Sequence, residues 1–412
     1  MKRLIIITLF TVITVMTAVS QQSEPLFGIK FSGYVKNDIY IDSRQSGATT
    51  ALRDEHFYLY PDNVLYDNNG KDINASMDLH MLNIQTRLKG DIFGPDAFGA
   101  KTSGVIEAEF YGTSELDVNG FRLRHAYVKV DWQKTNLLIG QYWHPLFPAE
   151  SFPGTLSFNT GAPFNPFSRN PQVRLSRKLQ EVSMSLTIYS QRDFVSTGPE
   201  GSSNKYIKNS GLPGGNLQFR IPAGQVFTAW AGLDYKTLRP ELKTSRNYKN
   251  NENIGSYSVF TNVKIKTKPV SISLMGVYAQ NATDLMMLGG YAVSEITDTL
   301  TQLKAYTTLN STSAWADLTT NGKKVTFGLF TGYSKNLGSN NPVEGSYYSR
   351  GSNIDHIFRV SPRVTFTSGT LSFGLELETT TAAYGTTQSD GLVANTNNVT
   401  NLRILLATVY KF

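Results

Sequence analysis

The strictest alternation of apolar and polar residues lies at the end of the chain, in residues 401–412. Successive side chains of an extended strand point to opposite faces, so this segment has one apolar face and one charged face. The apolar face consists of Leu402, Ile404, Leu406, Thr408, Tyr410 and Phe412, opposite Arg403 and Lys411. We expect this strand to be built into a sheet, either of a soluble protein or of a membrane barrel.

Similar alternation recurs along the chain and predicts sixteen strands. In the first of them, Ile39 and Ile41 alternate with Asp38 and Tyr40. The predicted strands are 29–42, 82–89, 104–112, 121–131, 137–144, 173–179, 182–191, 217–221, 226–238, 257–266, 270–280, 306–318, 325–334, 354–367, 371–380 and 401–412.

The connections alternate between short turns and long polar loops. Short turns are expected at 132–136, 180, 222–224, 267–269, 319–322 and 368–369, with a longer one at 92–102. These turns all fall at the end of the sheet where the first strand begins, and the long loops fall at the other end. Outer-membrane barrels have this asymmetry and an even number of strands. The pattern predicts an all-β fold, a transmembrane antiparallel β-barrel of about 16 strands with short periplasmic turns and long extracellular loops.

The beginning of the chain has the features of an export signal. Lys2 and Arg3 precede an apolar run that continues to about Val19. We expect residues 1–20 to be a signal peptide and residues 21–412 to be an outer-membrane β-barrel. No other apolar run approaches the roughly 20 residues of a spanning helix, so strands must cross the membrane. The predicted location is the bacterial outer membrane, with its lipid as a partner.

Composition narrows the possible chemistry. The chain has no cysteine, which excludes disulfides and thiolate metal sites. The formal charge of +7 falls by two, to +5, without Lys2 and Arg3, and is too mild to predict a nucleic-acid partner. No phosphate-binding loop, paired-histidine motif or nucleophile elbow is present, and the five histidines are far apart in sequence. We predict no cofactor, no metal site and no enzymatic activity.

The fourth and fifth predicted strands have faces that are hard to assign. If Leu123 faces outward, His125 and Lys129 do too, whereas the opposite register turns Arg122 and Arg124 outward. A Lys or Arg on the lipid face costs about 2–4 kcal/mol at the bilayer midplane. We therefore expect this part of the wall to face protein, in a homotrimer.

Four stretches carry a family resemblance: 31–38, 120–130, 138–145 and 157–164. They resemble Bacteroidetes outer-membrane porin-like proteins and, more distantly, the DcaP-like trimeric porins. This resemblance implies pore activity and a trimer. The last strand is similar to the C-terminal signature of outer-membrane barrels. That similarity implies that Tyr410 and Phe412 form the signal for the barrel-assembly machinery.

The polar faces of the strands predict the lining of the interior, which in a barrel of this size is a water-filled channel for small hydrophilic solutes. The predicted lining residues are Lys30, Lys36, Arg87, Lys89, Glu107, Glu109, Arg174, Lys178, Arg359, Arg363, Glu376, Glu378 and Arg403, with Asp38, Asp234, Lys264 and Lys266. Eleven of these are cations and six are acids, which predicts a weak preference for anions. The alternative is that paired charges only brace the wall.

The segment 145–171 contains six prolines and five phenylalanines and cannot pair as a central strand. Each buried ring stabilises a fold by ~1.5–3 kcal/mol, so the segment needs a dry surface to pack against. We expect it to fold onto the inner wall, where Glu150, Phe152, Phe158 and Arg169 form a constriction. The alternative is a latch over an adjacent subunit.

Two functions follow from these features. The first is a porin that lets small hydrophilic solutes diffuse passively, with a weak preference for anions. The second is an outer-membrane barrel that acts as an enzyme or as a docking subunit for a surface complex.

Overall fold

The computed structural model describes residues 27–46, 57–112 and 119–412. Sixteen antiparallel strands form the wall, and each pairs with the next along the chain. The last strand pairs with the first, from Tyr34 opposite Lys411 to Asp42 opposite Arg403, which closes the barrel. The predicted fold class is confirmed. The predicted signal peptide, 1–20, lies outside the described residues.

The wall strands are numbered here in chain order. They are β1 (Gly28–Asp42), β2 (Arg87–Phe93), β3 (Lys101–Glu109), β4 (Arg122–Asp131), β5 (Thr135–Trp143), β6 (Arg169–Leu179), β7 (Val182–Tyr189), β8 (Gly214–Ala223), β9 (Phe227–Leu238), β10 (Ile254–Lys266), β11 (Val270–Gln280), β12 (Leu303–Thr320), β13 (Val325–Ser339), β14 (Ile354–Ser368), β15 (Leu371–Thr387) and β16 (Val393–Lys411).

The outward face of the wall is apolar. Exposed aliphatic side chains alternate along the strands, among them Ile39, Ile41, Ile139, Leu186, Leu233, Leu375 and Ile404. Exposed rings form a girdle near the turn end, with Phe31, Phe93, Phe327, Phe366, Phe373 and Phe412. An apolar band with aromatic girdles is the surface that a barrel presents to lipid.

The prediction of one strand over 82–89 is wrong. The chain instead forms a short strand, Asp78–Leu82, then a turn, and then β2, and both strands pair with β1. At the turn Ile84 joins the hydrophobic core inside the barrel, and Gln85 accepts a hydrogen bond from Lys36. The apolar side chain of Ile84 therefore belongs to the interior and does not continue an outward face.

The wall is taller on one side than on the other. Strands β12–β16 and β1 have 15–19 residues each, whereas β2–β8 have 7–11. At about 3.3 Å per residue the long strands rise beyond a hydrocarbon layer of about 30 Å. The last connection is accordingly only 388–392, not the loop of about twenty residues expected from the sequence. Residues 393–400 are mostly polar because a strand above the membrane needs no apolar face.

Several loops contain their own structure. Gly289–Asp298 pairs with β12 and with the short strand Tyr347–Arg350. A two-stranded ribbon, Thr197–Gly198 with Gly201–Ser202, precedes helix α1 (Lys205–Ser210). A 3-10 turn, Thr283–Leu285, follows β11. No helix in the described part of the chain is long and apolar enough to cross a membrane.

The seam between β16 and β1 is sealed at both ends. Near the turns, the backbones of Phe412 and Gly33 exchange two hydrogen bonds of 3.1 Å. Towards the loops, Arg403 donates to both carboxylate oxygens of Asp42, at 2.9 and 2.6 Å, and the pair is buried. The closing strand is therefore held by backbone pairing and by a buried ion pair.

Deleting Phe412 should reduce the amount of folded barrel. The deletion removes two backbone hydrogen bonds, worth about 1 kcal/mol each, and the outward ring at the seam. The measurement is the fraction of heat-modifiable protein in outer membranes on unboiled gels. Phe327→Ala, which removes an equally exposed ring away from the seam, is the control and should fold normally. Equal folded fractions for both variants would contradict the predicted assembly signal.

Candidate functional site

The loop between β5 and β6, residues 144–168, folds into the barrel. Phe147, Phe164 and Phe167 are buried there. The hydroxyl of Ser313 on β12 donates to the carbonyl of Phe164 at 2.9 Å, across the interior from β5. Of the two arrangements expected from the sequence, the structure has the loop on the inner wall. We call this segment the inner loop.

Wall carboxylates hold the backbone of the inner loop. Glu376 on β15 accepts hydrogen bonds from the amides of Leu156 and Ser157, at 2.8 and 3.0 Å. Glu378, also on β15, accepts from the side-chain amide of Asn159 at 3.0 Å. Both carboxylates are buried and accept hydrogen bonds from loop groups that have no partner in a strand. They therefore stabilise the inner loop and are not exposed to a solute.

Wall cations bind the carbonyl groups of the loops. Arg359 on β14 donates to the carbonyls of Ala162 and Leu59, at 2.7 Å each. Lys36 on β1 donates to the carbonyl of Leu156 at 2.7 Å. Guanidinium and ammonium groups make strong hydrogen bonds when their acceptors are buried. This side of the barrel is therefore fastened to the inner loop by charges of both signs.

Other predicted lining residues on this side pair with each other. Arg363 makes two hydrogen bonds with Asp317, at 2.7 and 2.9 Å. Lys36 lies 3.0 Å from Asp38. Together with the contacts of Arg403, these pairs brace the wall between β12 and β1. The sequence left this arrangement open as an alternative to a charged lining.

A hydrophobic core lies in the loop half of the interior. It combines the inner loop with Phe57, Leu59 and Tyr60 from the first long loop and with residues 285–288 from the loop after β11. Phe158 of the inner loop packs against Phe57, with ring centroids 5.5 Å apart.

Two cavities flank the tip of the inner loop, and Glu150 lines both. The first, of about 480 Å³, lies against the wall of β4–β9 and contains Arg174 and Arg220. The second, of about 310 Å³, lies against β10–β12 and contains Lys264 and Lys266. Glu150 accepts hydrogen bonds from Arg220 at 2.8–3.2 Å, and its carbonyl accepts one from Lys264.

The predicted constriction residues lie in different environments. Glu150 and Phe152 are exposed at the tip between the two cavities. Phe158 is partly buried in the hydrophobic core. Arg169 is fully buried at the start of β6, where it donates to Asp193 at 2.7 Å and lies 3.6 Å from Glu109.

The remaining predicted lining residues are spread along the wall. Arg174 donates to the carbonyl of Trp143 at 2.9 Å and stacks on Tyr142. Lys30 and Lys178 lie near the turn end of their strands, and Lys89 lies near the middle of β2. Asp234 accepts a hydrogen bond from the hydroxyl of Tyr189, at 2.7 Å.

Arg220 was missed in the sequence analysis, although a usable signal was present. It lies on β8, where Asn216, Gln218 and Arg220 alternate with Leu217 and Phe219. That alternation places Arg220 on the polar face of the strand, which faces the first cavity.

An arginine cluster lies near the loop end of the part of the barrel formed by the short strands β2–β8, which we call the shorter wall. Glu109 is fully buried and lies 3.0 Å from Arg87, 2.6 Å from Arg124 and 3.3 Å from Arg122. Glu107 accepts a hydrogen bond from Arg124 at 2.7 Å. We call the set Arg87, Glu107, Glu109, Arg122, Arg124, Arg169 and Asp193 the arginine cluster.

The loop residue of this cluster, Asp193, is buried beside two cations. Burial favours its neutral form, but Arg169 and Arg122 hold the pKa of its carboxyl below the usual value. Asp193 is therefore a carboxylate over the whole ordinary pH range. It ties the loop after β7 to the top of β4 and β6.

The expectation of outward charges on β4 is wrong. The pairing of β3 with β4 shifts by one residue between Glu107 and Ala108, so Arg124 is the additional residue of a β-bulge. A bulge lets neighbouring residues point to the same face. Leu123 is exposed outside, while Arg122 and Arg124 reach Glu109 and His125 packs against Tyr142. Neither register of the sequence analysis applies, because the bulge turns all these polar groups inward.

Asp42, Asp78 and His80 bring three ligand-type oxygen and nitrogen atoms within 4.8 Å of one another. Both oxygens of Asp42 already accept hydrogen bonds from Arg403. A cation at this position would lie beside that guanidinium group, so we assign no metal site. His56 lies outside the described residues.

No family model matches the chain, and no curated protein matches it by sequence. The outer membrane channel DcaP of Acinetobacter baumannii matches with a TM-score of 0.71 at 17% identity, over 95% of this chain and 99% of that one. The anion-selective porin from Comamonas acidovorans matches with a TM-score of 0.57 at 8% identity, over 94% and 100%. OmpT, an outer-membrane protein of Vibrio cholerae, matches at 0.55 and 10%, over 95% and 99%. The chain therefore has the fold of these outer-membrane proteins, and its closed barrel with an apolar outer wall lies in the bacterial outer membrane.

Glu109→Gln should destabilise the barrel strongly. The substitution removes the carboxylate that faces four guanidinium groups, and breaking a buried pair costs about 3–5 kcal/mol. The measurement is urea unfolding from lipid vesicles, followed by tryptophan fluorescence. Glu181→Gln, in an exposed turn, is the control and should stay within about 0.5 kcal/mol of the unsubstituted protein. Equal stability of the two variants would show that the cluster is not held by Glu109.

Proposed function

We propose that this barrel is a porin through which small hydrophilic solutes diffuse passively. The observation that carries the proposal is the pair of water-accessible cavities beside the tip of the inner loop. They lie against the turn half of the wall, below the hydrophobic core. Solutes would cross around Glu150, in the gap between this tip and the wall cations Arg174, Lys264 and Lys266. The cavities are lined by ion pairs, amides and hydroxyls with no nucleophile and base placed together, which favours a channel over an enzyme.

We propose a weak preference for anions. The proposal rests on three lining cations without an ion-pair partner among the described residues and not on the count of all charges expected inside the barrel. In the part of the chain that the structure describes, seven of the eleven predicted lining cations lie within 4.0 Å of a carboxylate. Arg174, Lys264 and Lys266 line the cavities, and no carboxylate of the described residues lies within that distance of them. Cations without a counter-charge along the proposed path favour anions in transit.

We also propose that the protein is a homotrimer that associates through the shorter wall, β2–β8. An apolar groove of about 460 Å³ on the outside of β2–β5, with Gly104 and Ala126 in its lining, supports this. OmpT of Vibrio cholerae has been solved in a trimer form, and it matches this chain with a TM-score of 0.50. The charges of β4 face inward, so they do not support a subunit interface. The proposed relation to Bacteroidetes porin-like proteins rests on the four sequence stretches alone.

Purified protein in a planar bilayer should show stepwise conductance with a weak anion preference. The reason is the surplus of unpaired cations around the loop tip. The measurement is the reversal potential in a salt gradient, and Lys264→Gln with Lys266→Gln should move it towards cations. Lys178→Gln, at the exposed turn end, is the matched control. An absence of conductance at any voltage would rule out the porin, and a cation-selective reversal potential would rule out the preference alone.

Deleting Phe152–Pro163 should raise single-channel conductance. The deletion removes the part of the inner loop that crosses the interior, including the residues bound by Glu376 and Arg359. The expected result is larger conductance steps from an oligomer of unchanged mass, measured by native mass spectrometry in mild detergent. Unchanged conductance with loss of the oligomer would show that the loop serves the subunit interface instead.

A further inference from the structure

A polar pocket opens at the loop end of the shorter wall, away from the two cavities beside the inner loop. Its volume is about 440 Å³, and it is formed where β4 begins, beside β5 and the loop after β7. Arg122 and Arg192 line it, together with Asp193 and Gln141. Gln141 donates to the carbonyls of Leu123 and Arg124, at 3.2 and 3.0 Å, which fixes the bulge at the pocket wall.

Arg122 is incompletely satisfied in this pocket. Its Nη2 donates to Glu109 at 3.3 Å, and its Nη1 lies 3.5 Å from Asp193, beyond a good hydrogen bond. Its buried Nε and Nη1 have no hydrogen-bond acceptor among the described residues. A buried charged donor without an acceptor costs free energy, so a missing acceptor is expected here.

Among the described residues, the buried charges beside the pocket do not balance. The arginine cluster contains four guanidinium groups, from Arg87, Arg122, Arg124 and Arg169, and three carboxylates, from Glu107, Glu109 and Asp193. The buried cluster therefore has an excess of one cation, and Arg192 adds a second, solvent-exposed cation at the same pocket. In the described part of the chain, Arg192 has no ion-pair partner. Buried charge of one sign is stable only when a counter-charge neutralises it.

We propose that this pocket binds a phosphoryl group between Arg122 and Arg192. A phosphate monoester carries a charge of about −1.5 to −2 near neutral pH, opposite in sign to the excess buried cation and to Arg192. Its oxygens also accept the paired hydrogen bonds that guanidinium groups donate. The pocket is separate from the path proposed for solutes, so the site does not depend on channel activity.

Two sources could present this group, and the surroundings of the pocket suit both. Phe110 and Phe121 are exposed beside it, with ring centroids 5.0 Å apart, and Leu123 is exposed on the outer wall. This apolar patch at the rim fits the headgroup region of a phosphorylated glycolipid. The opening to water also admits inorganic phosphate. The shared chemistry is the phosphoryl group.

The test uses the full-length protein in detergent without phosphate. Thermal unfolding is followed while inorganic phosphate is added at constant ionic strength, with chloride as the reference anion. Phosphate should raise the unfolding temperature, and Arg192→Gln should weaken the apparent affinity about tenfold, because one charge-assisted bond is lost. Arg246→Gln, an exposed arginine in the loop between β9 and β10, is the matched control and should respond as the unsubstituted protein does.

A second arm separates the two sources. Phosphatidylcholine nanodiscs carrying bis-phosphorylated lipid A are compared with nanodiscs carrying the same lipid without phosphates. Stabilisation by the phosphorylated lipid that Arg192→Gln reduces assigns the site to a headgroup, and stabilisation by inorganic phosphate alone assigns it to free phosphate. The proposal is overturned if neither probe stabilises the protein, or if Arg192→Gln and Arg246→Gln respond equally. Because Arg192 is exposed, its substitution leaves the buried cluster intact and the barrel folded.

Discussion

The hydrogen bonds between wall carboxylates and the inner-loop backbone are the interaction on which the interior depends. A loop inside a barrel has no strand partner for its amides, and Glu376 supplies acceptors for two of them. Arg359 supplies donors for two carbonyls, one of them in the first long loop. Without these bonds the loop backbone would be buried and unsatisfied. The packing of the phenylalanine rings therefore depends on the charged wall residues, because the rings stay buried only while the loop backbone is hydrogen-bonded to the wall.

The architecture could be predicted because a barrel in lipid imposes a simple code on its strands. Each outward position must be apolar, so Ile39, Ile41 and Leu406 reveal their strands directly. The code fails where the wall is not in lipid. At Ile84 an apolar residue serves the interior, and in 393–400 the strand continues above the membrane without an apolar face. The bulge at Arg124 also escapes a period-two pattern, because one extra residue reverses every assignment that follows it.

The site could be predicted only in part. Alternation identified which charges, such as Arg363 and Glu376, belong to the polar face of the wall. Alternation carries no information on what lies opposite that face. The pairing of Arg363 with Asp317 and of Glu376 with Leu156 therefore could not be predicted from the sequence. The phenylalanine-rich segment showed that a dry surface was needed, and the choice between the inner wall and a neighbouring subunit required the structure. Arg169 illustrates the limit, because its partner Asp193 belongs to another loop.

The distance along the chain between the inner loop and its wall partners has a consequence for the order of folding. Leu156 and Glu376 are separated by 220 positions, and the amide of Leu156 cannot reach its acceptor until β15 exists. Contacts between distant segments form late, because the chain between them must first be ordered. The loop is therefore expected to enter the interior at the end of assembly, after the C-terminal strands have formed. Until then its phenylalanines have no dry surface to pack against, so the unfinished barrel is expected to expose them to water.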